Sequence, residues 1–431
     1  MTDLAHHIAH APLVDTHEHL HREQVWTTAG PDILQDLFGN YVTGDLVSAG
    51  AAPDAVERLT AEAPDRDIDA LFAPVQEAWQ RVRFTGYGRA TAEVARRFYG
   101  VEELTVDTLA AAAEHGRSLQ RPGERLRLLR DEARLDHTQT DDSRWPCEPD
   151  EADQSFFLYD LSWFSLSRGD VEPAALHAAT GVEVTGLDSL DEAMAALFAA
   201  EGGRAVAVKT QHAYARTLRW EERSRSEASA ALRALLHKGA ECVDYATSLC
   251  LGDWCLARGV EHAIEHQLPF KIHTGYYAGN DRMPLDFIRP SNLCGLLERY
   301  LDARFVLMHI AYPYQAELLS LAKHYRNVWV DLCWAWSIDP RSSGEWLRRW
   351  IHTAPVNKLF AFGGDTRWPT SAFAYALQAR EGIAAALDAE VAVGDISEAE
   401  AMEVATRIMH ANQYECFDIA GTRAAIAQSA A

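Results

Sequence analysis

Several common signatures are missing from this 431-residue chain. Its seven cysteines (Cys147, Cys242, Cys250, Cys255, Cys294, Cys333 and Cys416) are odd in number and form no CxxC pair. That excludes a disulfide framework and a thiolate zinc knuckle. No apolar run approaches the ~18 residues that read as a membrane span. The opening MTDLAHHIAHAPLVDTHEHL lacks a basic stretch followed by an apolar one, so no secretory leader is expected and the reducing cytoplasm is the expected compartment. Positive charge is scarce as well. Lys and Arg number 40 against 63 Asp and Glu, a formal charge of −23, which argues against nucleic acid or an anionic membrane as partner. A small anion is not excluded, because a pocket can oppose the global sign. There is no GxxxxGK[ST] and no GxSxG, so a P-loop and a serine-hydrolase elbow are unsupported, and the His262/His266 pair carries no HExxH arrangement. Gly86-Tyr87-Gly88 lacks the third glycine and the preceding strand of a dinucleotide loop.

What remains is 48% apolar and 24% charged, the balance of a packed soluble protein with ample chain for a large core. Short apolar runs recur at 12–15 (PLVD), 126–129, 156–161, 205–209, 270–273, 305–309, 328–332 and 359–363, with amphipathic stretches between most of them. Strands that read as continuous apolar runs and alternate with helices imply a parallel sheet covered by helices, and eight βα units close a barrel. Residues 22–125 differ: they are rich in Ala, Glu, Arg and Leu with helical periodicity, as in TAEVARRFYGVEEL. The expected organisation is an α/β fold, a (β/α)₈ TIM-like barrel with a helical insertion after strand 1. Residues 1–21 carry the first strand, 22–125 the helical cap, and 126–431 the rest of the barrel. The tail opens on Ser397 followed by Glu400, a capping-box start for a terminal helix.

Polar residues end five of these strands. The first runs into His17-x-His19, the fifth into His273, the sixth into His309 and the eighth into Asp365, while the fourth ends in Lys209. In a barrel of this kind the C-terminal strand ends form the site, so residues far apart in sequence converge. Positions i and i+2 of a strand point the same way, which lets His17 and His19 serve one ion. A lone histidine after a strand is usually structural; five polar strand ends together point to a bound metal.

On these residues (VDTHEH, KIHTG, LMHI and FGGD) the sequence resembles the amidohydrolase superfamily over 12–24 and 126–420. The helical segment after strand 1, the Asp365-Thr366-Arg367 triplet and the HTGYYAGNDRM segment are similar to the branch holding uronate isomerase, amidohydrolase-type decarboxylases and the domains fused to glutamine-synthetase-like proteins. The resemblance implies a divalent metal held by His17, His19, His273 and Asp365, with Asp365 also moving a proton. In two-metal members a strand-4 lysine is carboxylated into a bridging anion, which Lys209 would allow, with His309 on the second ion. In one-metal members His309 would polarise the substrate or move protons, and Lys209 would pair with a substrate carboxylate. The one-metal branch is the better match, so one ion is expected. Zinc is the first expectation from the Irving–Williams order, with Mn²⁺ or Fe²⁺ as alternatives.

Such an ion acidifies a water and polarises a carbonyl, and Asp365 is placed to accept that water's proton. The expected activity is hydrolysis of a C–N or C–O bond (amide, lactone or ester) in a small, carboxylated substrate. The alternative keeps the site for uronate-type isomerisation or non-oxidative decarboxylation. An inactive barrel used as a binding module is disfavoured by the complete set of ligand-type residues. Arg282, Arg367, Tyr276 and Trp334 follow ligand-bearing strands or lie beside them, and two inward arginines would suit an organic acid. Arg83 and Arg89 in RVRFTGYGR are candidates to reach over from the cap. Expected partners are that small acid and further copies of the chain, a homo-oligomer. His262 and His266 sit i, i+4 but read as a surface helix; His6, His7 and His10 lie at the start; His212 is a candidate neighbour of Lys209; and Cys333 reads as an apolar filler.

Overall fold

The computed structural model describes residues 2–63, 66–113, 116–239, 242–279 and 282–429. Eight strands run parallel, each beside the next in sequence: β1 (Leu13–Glu18), β2 (Leu135–Thr140), β3 (Phe157–Ser162), β4 (Ala205–Thr210), β5 (Phe270–His273), β6 (Phe305–Met308), β7 (Val328–Asp331) and β8 (Leu359–Phe360). The stretch after β8 closes onto β1 by backbone hydrogen bonds. Thr16 N donates to Phe362 O at 3.1 Å, Asp365 N to His17 O at 2.9 Å and His19 N to Thr366 O at 3.0 Å. The fold is a (β/α)₈ TIM-like barrel. Its strands are almost wholly buried, which is why most of them read as unbroken apolar runs. Among the described residues no helix is long and apolar enough to cross a membrane.

The expected second strand at 126–129 is a correction. Those residues are helical, spanning Glu124–Leu126 and the π-helical turn Arg127–Glu132, with Leu128 and Leu129 buried on the inner face. The strand is LDHTQT nearby, with one apolar residue in six. Its side chains from His137 onward are buried: His137 Nδ1 contacts Asp136 Oδ2 at 2.7 Å and Gln139 Nε2 meets His137 Nε2 at 3.2 Å, while Thr138 Oγ1, Gln139 Oε1 and Thr140 Oγ1 have no hydrogen-bond partner. A strand that buries polar residues is invisible to a search for apolar runs. The tail does start as the sequence implies, with the Ser397–Glu400 capping box opening the helix Glu398–Thr406.

Helices from Glu23–Ala29 to Arg127–Glu132 connect β1 to β2. They dock on the C-terminal ends of β7 and β8. Gly86 begins the helix Gly86–Tyr99, and a Cβ there would stand 2.1 Å from Ser337 O, so only glycine permits this approach. Gln378 Nε2 bonds Gly86 O at 2.7 Å and its Oε1 accepts from Ser337 Oγ at 3.0 Å. The GYG sequence is therefore a docking surface, not a phosphate loop. Asp36 anchors the same face, accepting from Tyr99 OH at 2.7 Å and from Thr370 Oγ1 on the helix Pro369–Val393.

Burial pushes the Asp36 carboxyl up to about 6 even though both hydroxyls oppose the shift. An acid raised in the folded state binds its proton more tightly there. Its contribution is full below the ordinary value of 3.8 and is lost as pH rises through about 6. Asp36→Asn keeps an acceptor without the charge. It should therefore stabilise the protein near pH 7 by up to about 3 kcal/mol, at about 1.4 kcal/mol per pKa unit. It should also flatten the fall in thermal stability between about pH 4 and pH 6. Equal melting profiles for variant and wild type would refute this.

Candidate active site

The strand ends bring the expected residues together at one mouth of the barrel. His17 lies within β1, His19 just past it, and both present Nε2 to Asp365 Oδ1 at 3.4 Å. His309 follows β6, with Nδ1 3.9 Å from Asp365 Oδ2. The ligand atoms of His17, His19 and Asp365 lie within 4.8 Å of one another, and so do those of His309, Cys333 and Asp365. Asp365 thus joins two donor groups through its two oxygens. His273, at the end of β5, stands outside both. Its ring centroid is 4.3 Å from that of His309, and its Nε2 donates to Tyr276 O at 3.0 Å.

Local structure explains how the donors are held. Glu18 sits between the two histidines in the strand and points away from them, so its Oε2 accepts from Thr366 N at 2.6 Å. Asp15 Oδ1 accepts from Gly364 N at 3.2 Å. A Cβ on Gly364 would lie 2.0 Å from Glu18 Oε1, so the FGGD turn needs glycine to lie this close to β1. His19 Nδ1 bonds Asp141 O at 2.6 Å, which aims Nε2 at Asp365. His309 Nδ1 bonds Cys333 O at 3.2 Å. Backbone strain gathers here. Asp365 (φ 56°), Trp334 (φ 62°), His309 (φ 64°) and the β-branched Ile310 (φ 43°) all adopt left-handed conformations. Such outliers persist where the surrounding structure dictates a working geometry.

The site fits a metal ion. Both ring nitrogens of His17, and Nε2 of His309, are buried with no hydrogen-bond partner, an arrangement that buried polar atoms rarely tolerate. Burial first, and the Lys209 charge second, hold His17 well below the ordinary imidazole value. Burial, then His309 and Lys209, do the same for His273, and burial pushes His309 down to about 4. These imidazoles are neutral and keep lone pairs for a cation. Burial works to raise the Asp365 carboxyl, but the His17 contact and the fields of the surrounding histidines outweigh it and hold it well below its usual range. Unprotonated imidazoles such as His17 and His309, beside a carboxylate held toward its ionised form, are ligands suited to zinc-type ions.

Lys209 lies on β4, 1% exposed, with Nζ donating to Gln211 Oε1 at 3.3 Å. Cys333, the apolar filler of the sequence reading, is fully buried within the second donor group. Trp334 is 1% exposed, with its ring meeting His309 edge-on at 5.6 Å, and Tyr276 is half-buried 5.7 Å from Trp334. The arginines behave otherwise. Arg282 and Arg367 are exposed, and so are Arg83 and Arg89, the latter 3.7 Å from Glu381 on the surface. Residues 280 and 281 of HTGYYAGNDRM lie outside the described residues. His212 is buried against Thr210, and His262 bonds Glu265 on its own helix surface.

The sequence reading missed Tyr41, Asp45, Tyr87 and Tyr375. The Tyr41 ring is 4.2 Å from that of Trp334, and Tyr87 stacks on it at 6.2 Å. The charge of Asp365 raises Tyr41, Tyr87 and Tyr375, each already lifted by burial. No strand end marks the two insertion tyrosines. The one hint was the glycine pair flanking Tyr87.

Comparisons with known proteins bear on the family and the fold. A family model described as amidohydrolase matches residues 145–412, more than half of the chain. A uronate isomerase from Thermotoga maritima superposes with a TM-score of 0.77 at 15% identity, covering 96% of both chains. A glucuronate isomerase from Caulobacter crescentus gives 0.74 at 18% identity, covering 96% of this chain and 92% of its own. Protein fluG of Emericella nidulans is 28% identical over 175 residues, 39% of this chain. That match spans 20% of the length of the relative.

Proposed function

The chain belongs to the amidohydrolase family, and from that premise we propose that it is a metal-dependent hydrolase of a C–N or C–O bond in a small amide, ester or lactone. The observation that carries this reading is the set of unpartnered, neutral imidazole nitrogens gathered around the Asp365 carboxylate. His17, His19 and Asp365 would hold the ion, with His309 and His273 alongside. A divalent ion there supplies Lewis acidity and an acidified water. Asp365 accepts the proton of the attacking water and returns it to the leaving nitrogen or oxygen. His309 is held in orientation by the Cys333 carbonyl and by edge-on packing against Trp334, which leaves its Nε2 without a protein partner. Lys209, whose charge is felt by His17, His273 and His309, stabilises the oxyanion that develops. An ammonium so close to the donors also opposes a second cation, which supports one ion rather than two.

Uronate-type isomerisation is the second reading, favoured by the isomerases that share the fold. The same donors would then move a proton between carbons. Against it stands the position of Arg282 and Arg367, the two arginines expected to grip a uronate carboxylate, which are both exposed.

Metal analysis of the purified protein should find about one ion per chain, the content of a mononuclear site. The metal-loaded protein, screened against esters, N-acyl amines, lactones and uronates, should release an acid and an amine or alcohol. Turnover of uronates alone would transfer the function to the second reading. Absence of a bound ion, with no thermal stabilisation on adding zinc or manganese, would defeat both.

A further inference from the structure

The wall of the site outside the barrel is built largely by the helical insertion, and it is aromatic. Trp334 contacts His309 on one side and, on the other, Tyr41, Tyr87 and Tyr276, at ring-centroid distances of 4.2 to 6.2 Å. Tyr41 precedes the helix Val42–Ser48, and Asp45 lies one turn further along it. Asp45 Oδ2 is buried with no hydrogen-bond partner, while the other side of the carboxyl faces the Thr85 hydroxyl. Tyr87 OH, Tyr375 OH and Trp334 Nε1 are buried and unpartnered as well.

These groups lie between two carboxylates. The charge of Asp365 reaches Tyr41, Tyr87 and Tyr375 from the barrel side. That of Asp45 reaches Tyr87, Tyr276 and Tyr375 from the insertion. Arg83, Arg89, Arg282 and Arg367, the arginines the sequence offered for the site, are exposed, and the buried Arg380 gives its guanidinium to the carbonyls of Ile8, Ala11, Ala133 and Arg134. Asp45 therefore has an oxygen that lacks a donor, beside rings whose electron-rich faces attract cations. Asp45 is half-buried as a residue, but a carboxylate oxygen shut away from water without a donor is costly unless a ligand completes it.

We propose that the end of the substrate remote from the scissile bond carries an ammonium group, seated on Asp45 among Tyr41, Tyr87, Tyr276 and Trp334. The proposal rests on the hydrolytic reading of the site and names its substrate class: amides or esters of small amino compounds. It reverses the organic-acid expectation at this end of the site. The charge of −23 and the Asp45 end have the same sign.

Calorimetric titration of the metal-loaded full chain tests this with benzyltrimethylammonium, which can neither ligate a metal nor donate a conventional hydrogen bond. 2-Phenylethanol is its uncharged counterpart and benzoate its anionic one. The ammonium should bind at least about tenfold more tightly than the alcohol, the factor that 1.4 kcal/mol represents. Asp45→Asn should erase that preference without moving the affinity for benzoate, and Asp45→Glu should restore most of it. Equal affinities for ammonium and alcohol, or an Asp45→Asn variant that keeps the preference with an unchanged melting profile, would overturn the proposal. If Asp45→Asn fails to fold, salt decides: tenfold more sodium chloride should weaken the ammonium and spare the alcohol, and equal responses would overturn it. Metal content and ester cleavage are read separately, so failure here leaves the hydrolytic reading standing.

Discussion

Asp365→Asn is expected to lower kcat by about 10²–10⁴-fold, the range that a positioned proton-transfer group contributes. The fold should stay intact. Asp365 sits at φ 56°, a left-handed conformation that asparagine tolerates better than most residues. The substitution is also isosteric, and the backbone bond from residue 365 N to His17 O is untouched. What changes is charge and basicity. The amide cannot take a proton from water, and it offers no negative charge to an ion or to the histidines around it. Measuring kcat together with metal content separates the two losses. Reduced metal content rescued by excess zinc would place the main role in ligation. Unchanged metal content with lost turnover would place it in proton transfer. Retained turnover at normal metal content would sink the mechanism.

The second large effect is on stability. Lys271 on β5 is fully buried, with Nζ donating to both oxygens of Asp160 on β3 at 2.9 Å and to Thr16 O on β1 at 2.7 Å. One ammonium thus ties three strands across the barrel interior, beneath His17, whose Nδ1 is 4.0 Å from Asp160 Oδ2. Burial raises the Asp160 carboxyl, and Lys271 is the main force opposing that rise. Lys271→Met keeps the chain length but strands the carboxylate in an interior that cannot solvate it. Breaking such a pair costs about 3–5 kcal/mol, so the urea midpoint should fall sharply. The paired replacement Lys271→Met with Asp160→Leu should recover most of the loss, because desolvating both charges is itself unfavourable. A single variant within about 1 kcal/mol of wild type would show that the pair does not hold the barrel together.

The strand-end residues were legible because the parallel barrel links sequence to space so simply. A polar residue that closes an apolar run lies at the mouth, and His17, His19, His309 and Asp365 do meet there. The same logic failed for Arg282 and Arg367. A loop position near the mouth does not set where a long side chain points, and both find solvent. It failed for β2 as well, since LDHTQT buries polar side chains that a search for apolar runs passes over. His273 falls between these cases. It is at its strand end, but its ring turns to His309 and its Nε2 to the Tyr276 carbonyl.

By itself the sequence determined the barrel class, the helical insertion between the first two strands and the chemistry of the donor residues. Those depend on periodicity and residue type, which act locally. The tertiary structure decided which donors come within reach of one another and how Asp365 divides its oxygens between two groups. It also decided that Tyr41 and Tyr87 of the insertion pack against Trp334. Those facts turn on backbone approaches between distant segments, such as Gly86 against Ser337 and Gly364 against Glu18. Such approaches form only when the whole barrel closes. The organic-acid expectation came from the loop positions of Arg282 and Arg367, and both side chains are exposed.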